Sequence, residues 1–221
     1  MHGLVVREVA EAFAQLAGVS VVALRHRLKA YARVRITPTQ MRQLCDGPDP
    51  QTLLGLRDRA LLHTLAGSGC RITEVVTLTA GQITTRDGGA VHQVLGQRQK
   101  GVREAPLSQE ARAGVQTWLA QRAPYGVPPT APLFPRFVAG GRVPTAQPLS
   151  TVSAWRAVRK YALACGLPQL TPHDVRRFVG TELAQRHVRQ AQRALGHQRL
   201  ETTVAHDVLD ELQLGRTEGL Y

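Results

Sequence analysis

Two arginines and two histidines lie in three short segments that could bind an anion. Arg71 follows the glycines of GSGC and opens a predicted helix, where the helix dipole disfavours a cation unless an anion lies between the two. His173 and Arg176, in HDVRR, are three residues apart and share one helical face. His197, in LGH, follows a predicted helix end. Together these side chains offer hydrogen-bond donors and positive charge suited to a phosphate group.

Each of these residues also has a purely structural interpretation. Arg71 could be a surface cation that forms an i,i+3 ion pair with Glu74. His173 could cap a helix, and His197 could be a buried, hydrogen-bonded ring. No single segment decides between the interpretations, because HxxR and LGH occur by chance in many sequences.

The charge balance of the whole chain favours a polyanionic partner. The 221 residues carry 28 Lys and Arg against 16 Asp and Glu, a formal net charge of +12, and 25 of those cations are Arg. The planar guanidinium matches phosphate oxygens, so double-stranded DNA is the expected partner. A GC-rich genome would also raise the arginine content, but it would not explain the shortage of acidic residues.

Cysteine and hydropathy patterns indicate where the protein works. Cys45, Cys70 and Cys165 form neither a metal-binding motif nor a disulfide framework. No apolar stretch approaches the ~20 residues of a membrane span. We therefore expect a cytoplasmic protein with no metal, no cofactor and no membrane partner.

The elements that must position the anion-binding residues are mostly helical. Helices are predicted in 4–33, 35–47, 49–69, 71–79, 108–123 and 150–166, and three or four more in 171–221. Their starts are marked by Thr37-Pro38, by Asp49-Pro50, by Ser108 and by Thr171-Pro172. Three β-prone runs, 82–86, 90–95 and 102–107, predict a small three-stranded antiparallel sheet, and the proline-rich stretch 124–149 predicts a long loop. The predicted fold class is mainly α with this one small sheet.

Five segments in order resemble the catalytic domain of the tyrosine recombinases, or phage integrases. They are RDRALLHTLAGSGCRITEVVTLTAGQI, VLGQRQKGVREAPLS, APLFPRF, TPHDVRRFVGTELA and ALGHQRLETT. Their order and separations carry the resemblance, which covers about residues 35–212. It implies an integrase-type catalytic domain for 36–221 and, for 1–35, a short helical remnant of a core-binding domain.

The resemblance implies a metal-independent chemistry on DNA. In this family a tyrosine attacks a phosphodiester, and a 3′-phosphotyrosine bond preserves the energy for religation. Arg71 and Arg176 would clamp the non-bridging oxygens of the transition state. His173 would donate to the phosphate or handle the proton of the nucleophile, and His197 would be a further donor.

The family also has a lysine in the turn of a β-hairpin, which protonates the leaving 5′-oxygen. Gln97 stands at the usual position here, so Lys100 is the candidate general acid. Arg98 could replace it, but its pKa is too high for easy proton donation. Further DNA contacts are expected from the basic residues beside these motifs, which are Arg103, Arg177 and Arg199.

The nucleophile of the family is missing from its expected position. That tyrosine lies nine residues after the LGH histidine, where this chain has His206. Four explanations are open. The chain binds DNA without cleaving it, which we favour; Tyr221 reaches a site in its own chain or in a neighbour's; His206 attacks and forms a labile phosphohistidine; or His206 is an engineered change.

We therefore expect a DNA-binding protein of DNA integration and recombination that is cleavage-deficient, with an active recombinase or a second copy as a further partner. The alternatives are an active site-specific recombinase that uses Tyr221 or His206, and a non-catalytic DNA-binding or assembly module. Residues 1–35 are too few for the helical clamp that usually precedes the catalytic domain. Affinity would then come from the catalytic face, an oligomer or a partner.

Overall fold

The computed structural model describes residues 34–86, 89–95, 102–138, 140 and 142–195, and only the backbone for those within 84–104 and 184–195. The chain divides into two units between Arg35 and Ile36, and the elements below belong to the second. Its described helices are α1 (Pro38–Asp46), α2 (Leu53–Ser68), α3 (Ile72–Val76), α4 (Gln109–Arg122), α5 (Thr151–Ala164) and α6 (Pro172–Leu195). Its described strands are β1 (Ile83–Arg86), β2 (Gly89–Leu95), β3 (Val102–Pro106), β4 (Pro135–Val138) and β5 (Val143–Pro148). The helices predicted in 4–33 and after 195 lie outside the described residues.

Local capping explains where most of the helices begin. The Thr37 hydroxyl accepts from the backbone N–H of Gln40 at 3.2 Å, and the Gln40 side chain accepts from the N–H of Thr37 at 2.9 Å. Ser108 caps α4 in the same way through the N–H of Ala111. These hydroxyls satisfy amide groups that have no partner inside the helix. The starts predicted at Thr37 and Ser108 are confirmed.

The predicted start of the second helix needs correction, whereas its predicted end at Gly69 is confirmed. α2 is capped by Thr52, whose hydroxyl accepts from the N–H of Gly55 at 3.0 Å. Asp49 instead accepts from the N–H of Gln51, which makes a turn before the helix. Gly67 lies inside the helix, where an added Cβ would come within 2.6 Å of the Ser108 hydroxyl. The helix ends at Gly69, whose φ of 63° is left-handed.

The predicted three-stranded sheet is confirmed. β1, β2 and β3 lie in that order and pair antiparallel, with Ile83 opposite His92 and Val91 opposite Pro106. The loop predicted at 124–149 is partly wrong, because β4 and β5 form a second antiparallel pair inside it. Both strands of a two-stranded sheet are edges, and an edge tolerates the prolines that argued against strands here.

The described core joins helices to the chain that follows α4. α2 packs against α4 and α6. Trp118 and Phe134 are fully buried, and the Trp118 indole N–H donates to the carbonyl of Leu133 at 2.8 Å. Cys70 in the α2–α3 turn and Val175 in the first turn of α6 are also buried, so packing constrains both segments that carry the described site residues. Among the described residues, no helix is both long and apolar enough to cross a membrane.

Candidate functional site

The turn between α2 and α3 is held by short-range hydrogen bonds. The N–H of Gly69 donates to the carbonyl of Leu65 at 3.1 Å, which closes the helix. The Ser68 hydroxyl donates to the carbonyl of Thr64 and accepts from the N–H of Cys70 at 3.2 Å. Arg71 follows directly as the N-cap residue of α3. The backbone of Arg71 is therefore positioned by α2.

The carboxylate of Glu74 pairs with Arg71, as the structural interpretation of Arg71 predicted. One oxygen of its buried carboxylate accepts from the backbone N–H of Arg71 at 2.7 Å. The other accepts from the Arg71 guanidinium at 3.1 Å. The predicted i,i+3 ion pair is thus present, and α3, with five residues, adds little dipole of its own. The Arg71 side chain is 42% exposed, so the pair orients the guanidinium while leaving it accessible.

The first turn of α6 is equally constrained. One carboxylate oxygen of Asp174 accepts from the N–H of Thr171 at 3.0 Å and from its hydroxyl at 2.7 Å. The other oxygen lies 3.4 Å from Arg177. With Pro172 at the first helical position, this network sets the direction in which α6 begins. It thereby places His173, which is exposed, one turn before Arg176.

Arg176 connects α6 to the turn that precedes Arg71. Its guanidinium donates to the carbonyl of Gly69 at 2.6 Å across 107 positions of sequence. Arg176 is only 7% exposed. The contact brings the HDVRR segment to the residue two positions before Arg71.

Arg177 has a different environment from its neighbour. Its side chain is 11% exposed and pairs with Asp174, whose carboxylate also caps the helix. This pairing accounts for Arg177 within the fold. Its predicted DNA contact stays a prediction.

The other predicted site residues lie outside what the structure describes. For Arg103 only the backbone in β3 is described, opposite Val94. Residues outside the described ranges are Arg98, Lys100, His197, Arg199, His206 and Tyr221. Of the predicted site residues, the structure describes the side chains of Arg71, His173, Arg176 and Arg177 only.

The Tyr161 side chain has a structural role, because it links α5 to α2. Its hydroxyl donates to Asp58 at 3.1 Å, and this carboxylate also pairs with the buried Arg57. Burial, together with the negative charge of Asp58, raises the pKa of Tyr161. A phenol that resists ionisation and is bonded between α2 and α5 is a poor candidate for the missing nucleophile.

The comparisons with known proteins decide the family. The sequence model of the phage integrase family matches residues 34–208. This range includes the three segments that carry Arg71, His173 with Arg176, and His197. The chain belongs to the phage integrase family.

Its relatives include XerD tyrosine recombinases. The XerD of Xanthomonas axonopodis pv. citri (strain 306) is 34% identical over 177 residues, which cover 76% of this chain and 56% of the relative. The XerD of Vibrio cholerae serotype O1 is 31% identical over 174 residues, covering 76% and 54%. The chain thus spans about half the length of these relatives.

Solved structures confirm the tyrosine-recombinase catalytic-domain fold. The XerH site-specific recombinase, in a post-cleavage complex with palindromic difH substrate, superposes with a TM-score of 0.68 at 19% identity, covering 86% of this chain and 53% of that one. The XerA recombinase gives 0.63 at 17% identity, covering 98% and 83%. A lambda integrase dimer bound to a COC′ core site gives 0.55 at 15% identity, covering 79% and 47%.

The backbone carbonyl of Gly69 is a partner of Arg176 that sequence reasoning missed. Gly69 was predicted only as the end of a helix. A left-handed glycine turns the chain so that α2 stops, and its carbonyl then receives Arg176. The sequence identified the glycine as a helix end, but it could not identify the partner of the glycine carbonyl.

Glu74→Gln should lower the free energy of unfolding by about 1–3 kcal/mol, because a buried group would lose its charge-assisted hydrogen bonds. The amide can still accept from the N–H of Arg71, so the helix start should persist. Urea denaturation followed by circular dichroism measures the change. An unchanged midpoint would show that Glu74 does not hold Arg71.

Proposed function

We propose that this chain binds duplex DNA through a backbone phosphate held by Arg71, His173, Arg176 and His197, and that it acts in DNA recombination without cleaving DNA. The observation that carries the proposal is the Arg176 contact with the Gly69 carbonyl. It joins the two sequence segments that the resemblance assigns to the two phosphate-clamping arginines. A phosphate placed against both would gain two planar cationic donors.

The electrostatics of the described residues support an anionic ligand. Arg71 is partly exposed and is oriented by a buried carboxylate, whereas Arg176 is buried and held by a neutral carbonyl. Preorganised donors cost little reorganisation when a phosphate arrives. The net charge of +12 attracts DNA over a longer range.

Proteins of the same family or fold add support. XerH and the lambda integrase dimer are described in complexes with their DNA sites. The relatives in sequence are tyrosine recombinases. The chain spans only about half the length of those relatives. Its activity on DNA, its DNA target and any protein partner are therefore proposed and are not carried over from them.

The absence of cleavage rests on the residue at position 206. The family resemblance assigns the attacking tyrosine to this position, and His206 occupies it. An imidazole reaches less far from the backbone than a phenol does, and its phosphate adduct is labile. The site therefore retains groups that bind a phosphate but lacks the group that forms a stable link to it.

The affinity for a short labelled duplex should fall with salt, with a log–log slope of about −0.9 for each phosphate that the chain neutralises, because each neutralised phosphate releases counterions. Fluorescence anisotropy at several salt concentrations measures the slope. Scrambling the duplex sequence should change the affinity little, since phosphate contacts carry no sequence information. A slope near zero would contradict binding through phosphates.

A further inference from the structure

Strands β4 and β5, with the turn between them, form a hairpin that we call the β4–β5 arm. Within the described part of the chain, these two strands pack mainly against each other. Pro135 at the base of the arm is buried, whereas Val138 and Val143 near its tip are 46% and 42% exposed. A Cβ added at Gly140, in the turn, would meet no atom within 4 Å. The free end of the arm therefore projects into solvent.

The base of the arm is fixed to the core. The Arg57 guanidinium donates to the carbonyl of Pro135 at 3.0 Å and lies 5.1 Å from the centre of the Phe137 ring. At the other end of the hairpin, the N–H of Leu149 donates to the carbonyl of Phe134 at 2.8 Å. The base is thus attached to α2, the helix that also leads into the predicted phosphate site.

Contacts along the arm give it a defined shape. The Thr145 hydroxyl donates to the carbonyl of Arg136 at 3.0 Å, and the N–H of Arg142 donates to the carbonyl of Val138 at 3.3 Å. Val138 lies directly opposite Val143, and cross-strand side-chain contacts stabilise paired strands. An arm that is already ordered loses little conformational entropy when it binds a ligand.

The arm carries two cations, Arg136 and Arg142, and both are exposed. Among the described residues, no carboxylate pairs with either guanidinium. The sequence from 111 to 173 contains seven Lys and Arg and no Asp or Glu, so no acidic residue of this long stretch offsets their charge. Such an imbalance favours a polyanionic ligand.

The shape of the arm suits duplex DNA. A two-stranded ribbon is narrow enough to enter the major groove, which is about 12 Å wide. Guanidinium groups on such a ribbon can reach the phosphates along the edges of the groove, and their planar donors match phosphate oxygens. Duplex DNA therefore satisfies both the charge and the width of the arm.

We infer that the β4–β5 arm is a second DNA-binding element, in which Arg136 and Arg142 each bind a backbone phosphate of the duplex. The inference rests on the proposed DNA binding and adds a contact outside the segments that the sequence motifs single out. The two phosphates are additional to the one proposed at Arg71 and Arg176. They add affinity and orient the duplex without reading its sequence.

The double variant Arg136→Gln/Arg142→Gln tests the arm by fluorescence anisotropy on the same labelled duplex. Its affinity should fall at least about tenfold, because two charge-assisted contacts are lost. The log–log salt slope should become shallower by about 1.8, since each phosphate contact contributes about 0.9. Arg136→Lys/Arg142→Lys, which keeps both charges, should keep the slope and most of the affinity.

The matched control is Arg42→Gln/Arg156→Gln, which removes two exposed cations from α1 and α5. It should keep the salt slope and lose no more than about fivefold in affinity, a general charge effect. Equal losses in the arm variant and in this control would overturn the inference. If the arm variant has a lower Tm than the wild type, Arg142→Gln alone decides, with an expected slope change of about 0.9.

The failure of this inference can be told from a failure of the proposed function. If the wild type binds the duplex and Arg176→Ala weakens that binding, while Arg136→Gln/Arg142→Gln keeps the wild-type affinity and slope, only the inference about the arm is wrong. If the wild type binds no duplex, the proposed function and the inference are both wrong.

Discussion

The wild-type chain should form no covalent complex with DNA, whereas His206→Tyr should form one. The substrate is a pool of nicked duplexes of randomised sequence, because a nick lets the cleaved fragment leave and traps the adduct. A tyrosine at position 206 would restore the phenol that the family resemblance expects nine residues after His197. The adduct is detected as a band of reduced mobility on a denaturing gel.

Two further variants separate the competing explanations for position 206. Tyr221→Phe and His206→Ala should both behave as the wild type does. A wild-type adduct that disappears in Tyr221→Phe would show that the terminal tyrosine attacks. An acid-labile adduct that disappears in His206→Ala would show a phosphohistidine. Either result would establish a working recombinase in place of the cleavage-deficient protein proposed here.

Arg176→Ala should weaken duplex binding by about 10- to 100-fold, because charge-assisted hydrogen bonds to a phosphate contribute roughly 1.5–3 kcal/mol. The log–log salt slope should become shallower by about one. Fluorescence anisotropy on the same duplex measures both quantities. Arg176→Lys, which keeps the charge but loses the planar fork, should recover only part of the affinity.

Arg156→Ala is the matched control, since it removes the same charge from an exposed position on α5 outside the predicted site. Its loss should weaken DNA binding by no more than about threefold, a general charge effect. Thermal melts of both variants check that the fold is kept. Equal losses would mean that net charge, rather than the position of Arg176, determines affinity. If Arg176→Ala kept the full DNA affinity, the result would favour the alternative of a non-catalytic assembly module whose phosphate pocket no longer functions.

Local chemistry was readable from the sequence. The starts at Thr37 and Ser108 follow from hydrogen bonds that span three residues, and the Arg71–Glu74 pair follows from helical spacing. The three-stranded sheet follows from three adjacent β-prone runs. Prediction failed where a local signal had two meanings, as at Asp49, which could cap a helix or make a turn, and in 124–149, where prolines suit both loops and edge strands.

The sequence by itself determined the family, the residue types of the candidate site and the short-range bonds that orient Arg71 and the start of α6. Only the tertiary structure decided that Arg176 reaches the Gly69 carbonyl and that Arg57 reaches the carbonyl of Pro135. The physical reason is the range of the interactions. A cap or an i,i+3 pair depends on residues within one turn, whereas the partners of a buried guanidinium depend on how distant helices and loops pack.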